Sequence, residues 1–297
     1  MRIALLGLGL IGGSVARALR ERPRGDMADG WSIAAWTPSG RGPARALEDG
    51  VIDEAAASPE AAIDGADLVV LAGPAPDCLE QLDDLAGPWR HVLAPDAVIT
   101  DVASTKEAIV LRATALGLRF VGGHPMAGRE TNGYPASSAD LFVSRPWVVV
   151  PTSDSDAAAV ERVEGLAIAC GAHPVRLGAA AHDRAVAGIS HLPLVVAAAL
   201  VEAVAGNGSA GPSADWPTAA GLAATGWGDT TRLARGDVTM GAGIIATNAP
   251  AIADRIRELV AALDGWLAEL ERPGGPDAAE IAERLRIARE RLEAMAR

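Results

Sequence analysis

The chain has 297 residues, of which 49% are hydrophobic and 22% are charged, and its net charge is −12 at pH 7. This composition is typical of a globular protein and excludes a disordered or fibrous chain, while the length favours two domains. The acidic balance and the scattered basic residues argue against a nucleic-acid partner. An anionic small molecule can still bind through a few local arginine or lysine side chains.

The cysteines and the N-terminal segment indicate the cellular compartment. Cys78 and Cys170 lack the spacing of a zinc site or a redox pair, so we expect no metal and two core thiols in a reducing environment. The apolar segment 1–19 resembles a signal peptide, but its glycines would interrupt the apolar helix that such a peptide needs. We also expect no apolar run of membrane-spanning length anywhere in the sequence. We therefore expect a cytoplasmic protein that does not bind a membrane.

Short apolar runs alternate with helical stretches through the first 176 residues. Runs rich in Val, Ile, Leu and Ala predict strands at 2–7, 32–36, 67–72, 97–102, 118–123, 146–151 and 173–177. Such continuous apolar strands are typical of a mostly parallel sheet that helices cover on both faces. Beyond residue 177 only helical patterns follow, ending in an amphipathic tail from 249 to 297 with a break at 271–277. The pattern predicts an α/β domain over 1–177 and an all-helical domain over 178–297.

A glycine-rich turn, GLGLIGGS at 7–14, joins the first predicted strand to the first predicted helix. In a Gly-x-Gly-x-x-Gly turn the first glycine permits the bend, the second admits a pyrophosphate and the third allows close packing of helix and strand. The N-terminus of the helix then faces the phosphates. The alternative is a tight turn without a ligand. The strand–turn–helix context favours a Rossmann-like dinucleotide site formed by Gly7, Gly9, Leu10, Ile11 and Gly12.

The end of the second predicted strand bears on the choice of cofactor. NAD-dependent enzymes usually carry an acidic residue there, which binds the ribose hydroxyls. This chain has TPSGR at 37–41 instead, without a carboxylate. Thr37 and Ser39 can bond a 2′-phosphate and Arg41 can pair with it, so NADP is favoured over NAD. The alternative is that Arg41 is a solvated residue at the start of a helix and that either cofactor binds.

Two polar segments follow predicted strands and should meet at the carboxyl edge of the sheet, where ligands bind in open α/β folds. DVASTK at 101–106 contains Ser104 and Lys106, and GGHPMAGRE at 122–130 contains His124. The following proline biases His124 towards an extended conformation. An extended histidine among glycines, beside a nicotinamide site, is more plausibly a proton acceptor than a packed core residue.

Five motifs in this order resemble those of prephenate and arogenate dehydrogenases: GLGLIGGS, DVASTK, GGHPMAGRE, HDRAVAGISHLP and DTTRLARGD. The resemblance extends from residue 1 to about residue 245 and is weaker in the tail. It implies a Rossmann-like domain followed by a helical dimerisation domain, and hence a homodimer. It also implies NAD(P)-dependent oxidative decarboxylation, which converts prephenate to 4-hydroxyphenylpyruvate or arogenate to tyrosine in tyrosine biosynthesis.

The resemblance assigns catalytic roles to matching residues. His124 would accept the proton of the substrate hydroxyl, with Ser104 orienting both the ring and the hydroxyl. Arg232 would bind a substrate carboxylate, for which a planar guanidinium offers a bidentate grip. An alternative for Arg232 is a helix-surface pair with Asp229, three residues earlier.

The resemblance assigns further residues to the substrate pocket. His191 would be a second pocket histidine; the alternative is that Ser190 caps the next helix and His191 merely lies at its start. Asp229 would hold the arginine segment, Glu130 would lie at the pocket mouth, and Lys106 would contact the substrate or support the cofactor loop. His182, beside Asp183 in an amphipathic stretch, is interpreted as structural.

Two other functions compete with this interpretation. A dehydrogenase of the β-hydroxyacid type would rely on a catalytic lysine in the helical region, but residues 178–297 contain no lysine. A non-catalytic dinucleotide-binding protein would have lost the catalytic base or the residue that binds the substrate carboxylate. His124, Ser104 and Arg232 are all present in this sequence.

Overall fold

The computed structural model describes residues 1–21, 30–129, 131–206 and 211–295. The chain divides into two compact units, Met1–Ala249 and Pro250–Arg297. The predicted domain boundary at residue 177 lies inside the first unit and stays a prediction.

A five-stranded parallel sheet lies at the centre of the first unit. Its strands are β1 (Arg2–Leu6), β2 (Ser32–Trp36), β3 (Glu54–Ala55), β4 (Leu68–Leu71) and β5 (Val98–Asp101). Their order is β3-β2-β1-β4-β5, so that β1 pairs with β2 on one side and β4 on the other. The prediction missed β3, because two residues are too few to produce a pattern. β4 and β5 are buried along their whole length, as expected when both faces of a sheet are covered.

A second sheet of three strands continues from the first. It consists of β6 (Gly122–Pro125), β7 (Pro146–Val150) and β8 (His173–Arg176). β6 is antiparallel to β7, and β7 is parallel to β8. The predicted strand at 118–123 is displaced: residues 118–121 contribute only an isolated bridge between Phe120 and Ile99. His124 therefore lies within a strand, opposite Val148, and not beyond its end.

Helices cover both faces of the first sheet and then form the rest of the chain. They are α1 (Leu10–Glu21), α2 (Arg41–Glu48), α3 (Pro59–Ile63), α4 (Ala75–Ala86), α5 (Glu107–Ala115), α6 (Ala157–Ala169), α7 (Ala179–Val186), α8 (Leu192–Ala205), α9 (Trp216–Leu222), α10 (Thr225–Thr231), α11 (Val238–Thr247), α12 (Ala249–Leu270) and α13 (Ala278–Met295). One apolar core packs the sheet against α1 and α6, and another packs it against α4 and α5. The predicted α/β region followed by an all-helical region is confirmed.

A π-helical turn, Ala187–His191, joins α7 to α8. The result is one continuous helix of 27 residues, Ala179–Ala205, with a mean hydropathy of 1.8 in its most apolar window. By length and composition this helix could cross a membrane, so the expectation that the chain lacks such a run is wrong. Polar residues in its first half hid the run in the sequence. Only 22% of that window is buried within the chain, which leaves much apolar surface exposed.

The second unit contains most of α12 and all of α13, separated by the segment 271–277. The predicted break in the tail is confirmed, and its Pro-Gly-Gly-Pro sequence explains why no helix continues through it. Several leucines of these helices are exposed within the chain, among them Leu263, Leu285 and Leu292.

Candidate active site

The glycine-rich turn between β1 and α1 has the shape of a phosphate cradle. Gly7 has φ +116°, and a Cβ atom there would lie 2.6 Å from the carbonyl carbon of Ala72. A Cβ on Gly12 would collide with the carbonyl oxygen of Gly7, so the helix could not approach the turn. A Cβ on Gly9, by contrast, would meet no atom within 4 Å. The space beside Gly9, at the start of α1, is where an anionic ligand can reach the backbone N–H groups.

Two cavities meet at this turn. The inner cavity, of about 340 Å³, is lined by Gly9, Leu10, Ile11, Ser104 and His124 among others. The outer cavity, of about 500 Å³, is lined by Thr37, Ser39 and Arg41 together with Arg45 and Tyr134. Gly9 and Gly133 line both. The structure thus brings the predicted cofactor residues and the predicted catalytic pair to one continuous site.

The outer cavity fits the ribose end of a dinucleotide. The hydroxyl oxygen of Thr37 is buried and has no hydrogen-bond partner within the described part of the chain. Arg41 begins α2 and is exposed, whereas Arg45 is engaged by Glu48 and Asp49. An orphaned hydroxyl and a nearby guanidinium match a ligand that carries both acceptors and negative charge.

Asp101, at the end of β5, links the segments that carry Ser104 and His124. One carboxylate oxygen accepts from the N–H of Gly123 at 3.1 Å, and the other accepts from the N–H of Ala103 at 3.0 Å. Gly123 is required here, because a Cβ atom would lie 2.6 Å from the carbonyl oxygen of Asp101. The carboxylate therefore fixes the spacing between β6 and the segment after β5.

Lys106, the only lysine of the chain, pairs with Asp101 in the interior. Both side chains are fully buried. Burial raises the pKa of Asp101, and the charge and hydrogen bond of Lys106 oppose that rise. Lys106 lines neither cavity, because its side chain is buried against Asp101, and its predicted contact with the substrate stays a prediction. Its role is to neutralise the carboxylate that holds the two strand ends together.

Cys78, on α4, lies near this buried pair. Burial raises the pKa of its thiol strongly, and the negative charge of Asp101 adds to the effect. The thiol is therefore unreactive, as expected of a core cysteine. Among the described residues, no cluster of three or more His, Cys, Asp or Glu side chains could hold a metal ion.

His124 lies at the head of a buried hydrogen-bonded chain. Its Nδ1 is 2.8 Å from Nε2 of His182, and Nδ1 of His182 is 2.7 Å from Oδ1 of Asp183. His182 and Asp183 are each 1% exposed. The interpretation of His182 as merely structural is incomplete, because its ring contacts the candidate base. The adjacent His-Asp pair in α7 was the available signal.

His124 and His191 both stay neutral at physiological pH, because the pKa of each is lowered. Burial holds the pKa of His124 well below its ordinary value, and the nearby Lys106 ammonium lowers it further. Burial also lowers the pKa of His191 to about 4. A neutral imidazole is the form that can accept a proton.

His191 lies in the π-helical turn, a feature that is frequent at functional sites. Its Nδ1 is 3.0 Å from Nδ2 of Asn248, so Nδ1 accepts and Nε2 carries the hydrogen. Nε2 is buried and has no partner among the described residues. His191 does not line the inner cavity, but it presents a donor that a ligand could satisfy.

Two further predicted substrate residues, Asp229 and Arg232, do not line the inner cavity. Asp229, on α10, and Arg232, in the 3₁₀ turn that follows, are both exposed within the chain. Glu130 lies outside the described residues.

The inner cavity also has lining residues for which the sequence predicted no role. Asn132, Asp237, Met240 and Ile244 line it, the last three from α11 and the residue before it. Asp237 caps α11 by accepting from the N–H of Met240 at 2.8 Å, and its other oxygen lies 3.3 Å from the Asn132 amide. The last residue of the DTTRLARGD motif was the available signal.

A parallel sheet with a glycine-rich cradle, and a cavity lined by a histidine and a serine beside that cradle, is typical of a dinucleotide-dependent dehydrogenase. The family pattern described as "Prephenate dehydrogenase, nucleotide-binding domain" matches residues 15–176. A second pattern, "Prephenate dehydrogenase, dimerization domain", matches residues 178–284. The chain belongs to the prephenate dehydrogenase family and is an NAD(P)-dependent oxidoreductase.

Individual relatives agree with this assignment. The prephenate dehydrogenase of Bacillus subtilis is 34% identical, over 91% of this chain and 68% of its own length. The cyclohexadienyl dehydrogenase of Zymomonas mobilis is 30% identical, over 91% of this chain and 86% of its own length.

Solved structures show the same architecture. The arogenate dehydrogenase of Synechocystis superimposes with a TM-score of 0.78 at 30% identity, covering 98% of this chain and 100% of that one. The prephenate dehydrogenase of A. aeolicus, in complex with hydroxyphenyl propionate and NAD+, gives a TM-score of 0.84 at 26% identity, covering 98% of each chain.

Proposed function

We propose that the chain catalyses the NAD(P)-dependent oxidative decarboxylation of prephenate or arogenate in tyrosine biosynthesis. The observation that carries the proposal is the position of Ser104 and His124 in the cavity that adjoins the glycine-rich cradle. A base at that place can act on a substrate hydroxyl beside a bound nicotinamide. The names of the relatives, which include prephenate, cyclohexadienyl and arogenate dehydrogenases, support the substrate class.

The proposed reaction needs one proton acceptor and one oriented hydroxyl. The bound nicotinamide supplies the acceptor for the hydride that leaves the hydroxyl-bearing ring carbon. His124 accepts the hydroxyl proton through Nε2, and Ser104 orients the hydroxyl towards it. The bond to the ring carboxylate breaks as CO2 departs, and its electron pair enters the ring, which becomes aromatic. His124 then returns the proton to the ring oxygen of the phenol product.

The experiment that tests this proposal combines two substrates with two cofactors. The protein is incubated with prephenate or arogenate and with NAD+ or NADP+, and the absorbance of the reduced nicotinamide is followed. We expect turnover with at least one of the four pairs. Absence of turnover with all four would overturn the proposed function.

Neutral His124 as the base leads to a prediction about pH. The imidazole accepts a proton only above its pKa, which burial and Lys106 hold well below the ordinary value of 6.5. Activity should therefore persist below pH 6.5 and fall only as the pH passes down through the lowered pKa. The measurement is the pH profile of kcat/KM. An acid limb at or above the ordinary histidine pKa would contradict this prediction.

Arg232 is proposed to bind a substrate carboxylate. Arg232→Ala is expected to raise KM for the substrate by about 10- to 100-fold, the worth of a charge-assisted hydrogen bond, with a smaller effect on kcat. Arg232→Lys should recover only part of the loss, because an ammonium lacks the planar two-point grip. Arg235→Ala, one turn away in the same 3₁₀ segment, is the matched control. Equal KM values for Arg232→Ala and Arg235→Ala would count against the assignment.

His191, Asp229, Glu130 and Asn248 are proposed to complete the substrate site around Arg232. The partnerless Nε2–H of His191 is suited to a carboxylate or hydroxyl acceptor, with Asn248 fixing its orientation. Asp229 would hold the arginine segment, and Glu130 would lie at the mouth of the pocket.

NADP is the proposed preferred cofactor, bound at the 2′-phosphate by Thr37, Ser39 and Arg41. Arg41→Ala is expected to raise KM for NADP+ by about 10-fold or more, because a charged hydrogen bond to phosphate is lost. KM for NAD+, which lacks that phosphate, should stay unchanged. Arg90→Ala, an exposed arginine that lines neither cavity, is the matched control. An equal rise in KM for both cofactors in Arg41→Ala would show that Arg41 does not determine cofactor specificity.

We also propose a cytoplasmic homodimer with a domain boundary at residue 177, formed through the helical region 178–297. The exposed apolar surface of the helix Ala179–Ala205 supports this, since a second copy would cover it. The matched dimerisation-domain pattern supports it too. Light scattering coupled to size exclusion should give twice the mass of the chain, whereas a monomer would contradict the proposal. No membrane or nucleic-acid partner is proposed.

A further inference from the structure

We infer that Asp183 and His182 are positioning residues that fix the tautomer of His124, so that its Nε2 is the bare nitrogen offered to the substrate. This inference rests on the proposed function for its catalytic consequence. The tautomer itself follows from three side chains in one hydrogen-bonded line.

The hydrogen-bonded line is anchored at Asp183, whose carboxylate accepts two backbone hydrogen bonds of known direction. Oδ1 accepts from the N–H of Lys106 at 2.8 Å and Oδ2 accepts from the N–H of Glu107 at 2.9 Å. Both donors lie at the start of α5, where the helix dipole favours a negative charge. Burial alone would raise the pKa of Asp183, but the hydrogen bonds from His182, Glu107 and Lys106 hold it below its ordinary value. Asp183 is thus a carboxylate that can only accept.

An anchored carboxylate determines which nitrogen of His182 carries a hydrogen, and the inferred tautomer of His124 follows from that position. Because Asp183 Oδ1 accepts, the Nδ1 of His182 at 2.7 Å carries a hydrogen. A His182 ring with this one hydrogen is bare at Nε2 and accepts there from Nδ1 of His124 at 2.8 Å. Neutral His124 therefore has its hydrogen on Nδ1 and a lone pair on Nε2.

The same line supports His124 after it has accepted a proton. The imidazolium still donates its Nδ1–H to Nε2 of His182, and the negative charge of Asp183 lies one ring further away. His182 and Asp183 are buried, so water does not weaken this attraction. The arrangement stabilises the form of His124 that the proposed reaction creates.

The direct test is ¹⁵N NMR of the protein labelled at histidine. The chain has only five histidines, and single substitutions assign their signals. We expect the wild-type protein at neutral pH to show a protonated Nδ1 and a bare Nε2 on His124. A protonated Nε2 with a bare Nδ1 on His124, as a cationic His182 would impose, would overturn the inference.

The variant Asp183→Asn tests the catalytic consequence. The new amide can donate to Nδ1 of His182, which reverses the direction of both hydrogen bonds in the line. His124 would then carry its hydrogen on Nε2. We expect kcat to fall by about 100-fold, within the usual range for general acid–base catalysis, while KM for substrate and cofactor stays close to the wild-type value. The His124 signals should move towards the other tautomer. Unchanged kcat together with unchanged His124 signals would overturn the inference.

The matched control is Asp156→Asn. Asp156 also accepts a backbone N–H at a helix start, from Ala159 at 2.9 Å, but it lies at the start of α6 and lines neither cavity. It should lower stability without changing kcat. If Asp156→Asn lowered kcat as much as Asp183→Asn, the effect would be general loss of structure and the inference would fail.

The spectrum also separates this inference from the proposed function. If wild-type His124 has the expected tautomer but no substrate pair is turned over, the proposed function is wrong and the tautomer assignment stands. If substrate is turned over while Nε2 of His124 is protonated, the function stands and the tautomer assignment is wrong.

Discussion

Replacement of His124 by asparagine lowers kcat by about two to four orders of magnitude, the usual contribution of a general acid–base residue. Asparagine removes the ring nitrogen that accepts the substrate proton. Its side-chain amide still reaches towards His182 and still fits in β6, so that the fold and cofactor binding should persist. The measurement is steady-state kcat and KM with the best of the substrate pairs, together with NAD(P)H binding followed by fluorescence.

The control for this prediction is His173→Asn. His173 begins β8, is exposed, and lines neither cavity. It should have a wild-type kcat. A nearly normal kcat for His124→Asn, with intact cofactor binding, would remove His124 from the role of base.

The second large effect concerns stability. Lys106→Met leaves the Asp101 carboxylate fully buried without its cation. Removing one partner of a buried ion pair typically costs about 3–5 kcal/mol of stability, because the charge that remains is uncompensated. We expect the free energy of unfolding of the first unit to fall by about that amount in urea titrations. The catalytic rate should also fall, because Asp101 holds the Gly123 and Ala103 N–H groups in place.

Two further variants test whether the destabilisation comes from the burial of the ion pair or simply from the loss of a positive charge. Arg112→Met breaks an ion pair with Asp83 in which both side chains are nearly half exposed. Exposed pairs contribute at most about 1 kcal/mol, so this variant should be close to wild type. The double variant Lys106→Met, Asp101→Asn removes the orphaned charge and should recover part of the stability. Equal destabilisation by Lys106→Met and Arg112→Met would contradict this account.

Much of the fold could be predicted because the physical signals are local. Buried parallel strands are continuous apolar runs, and the turn Gly7–Gly12 has a spacing that only a close backbone approach requires. Where local signals conflict, the observed strand is displaced from the predicted one. Leu118–Val121 has the stronger strand composition, yet the strand forms at Gly122–Pro125, since the glycines allow contact with the end of β5.

The site was harder to predict because its members depend on side-chain direction. The position of Lys106 after a strand does not reveal that the segment turns its side chain inward to Asp101. His182 is one helical residue among many in the sequence, and only the fold brings its ring to His124. Asp237 lines the inner cavity because α11, which follows it, begins beside that cavity. These contacts join segments more than 50 residues apart in two cases, and no local pattern encodes them.

The central claim is tested most directly by the stoichiometry of the reaction. CO2 release and nicotinamide reduction are measured together in one reaction with prephenate or arogenate and the preferred cofactor. The proposed oxidative decarboxylation requires equal amounts of CO2 and reduced cofactor, both lost together in His124→Asn. Reduced cofactor formed without CO2 would identify a simple alcohol oxidation and would contradict the account.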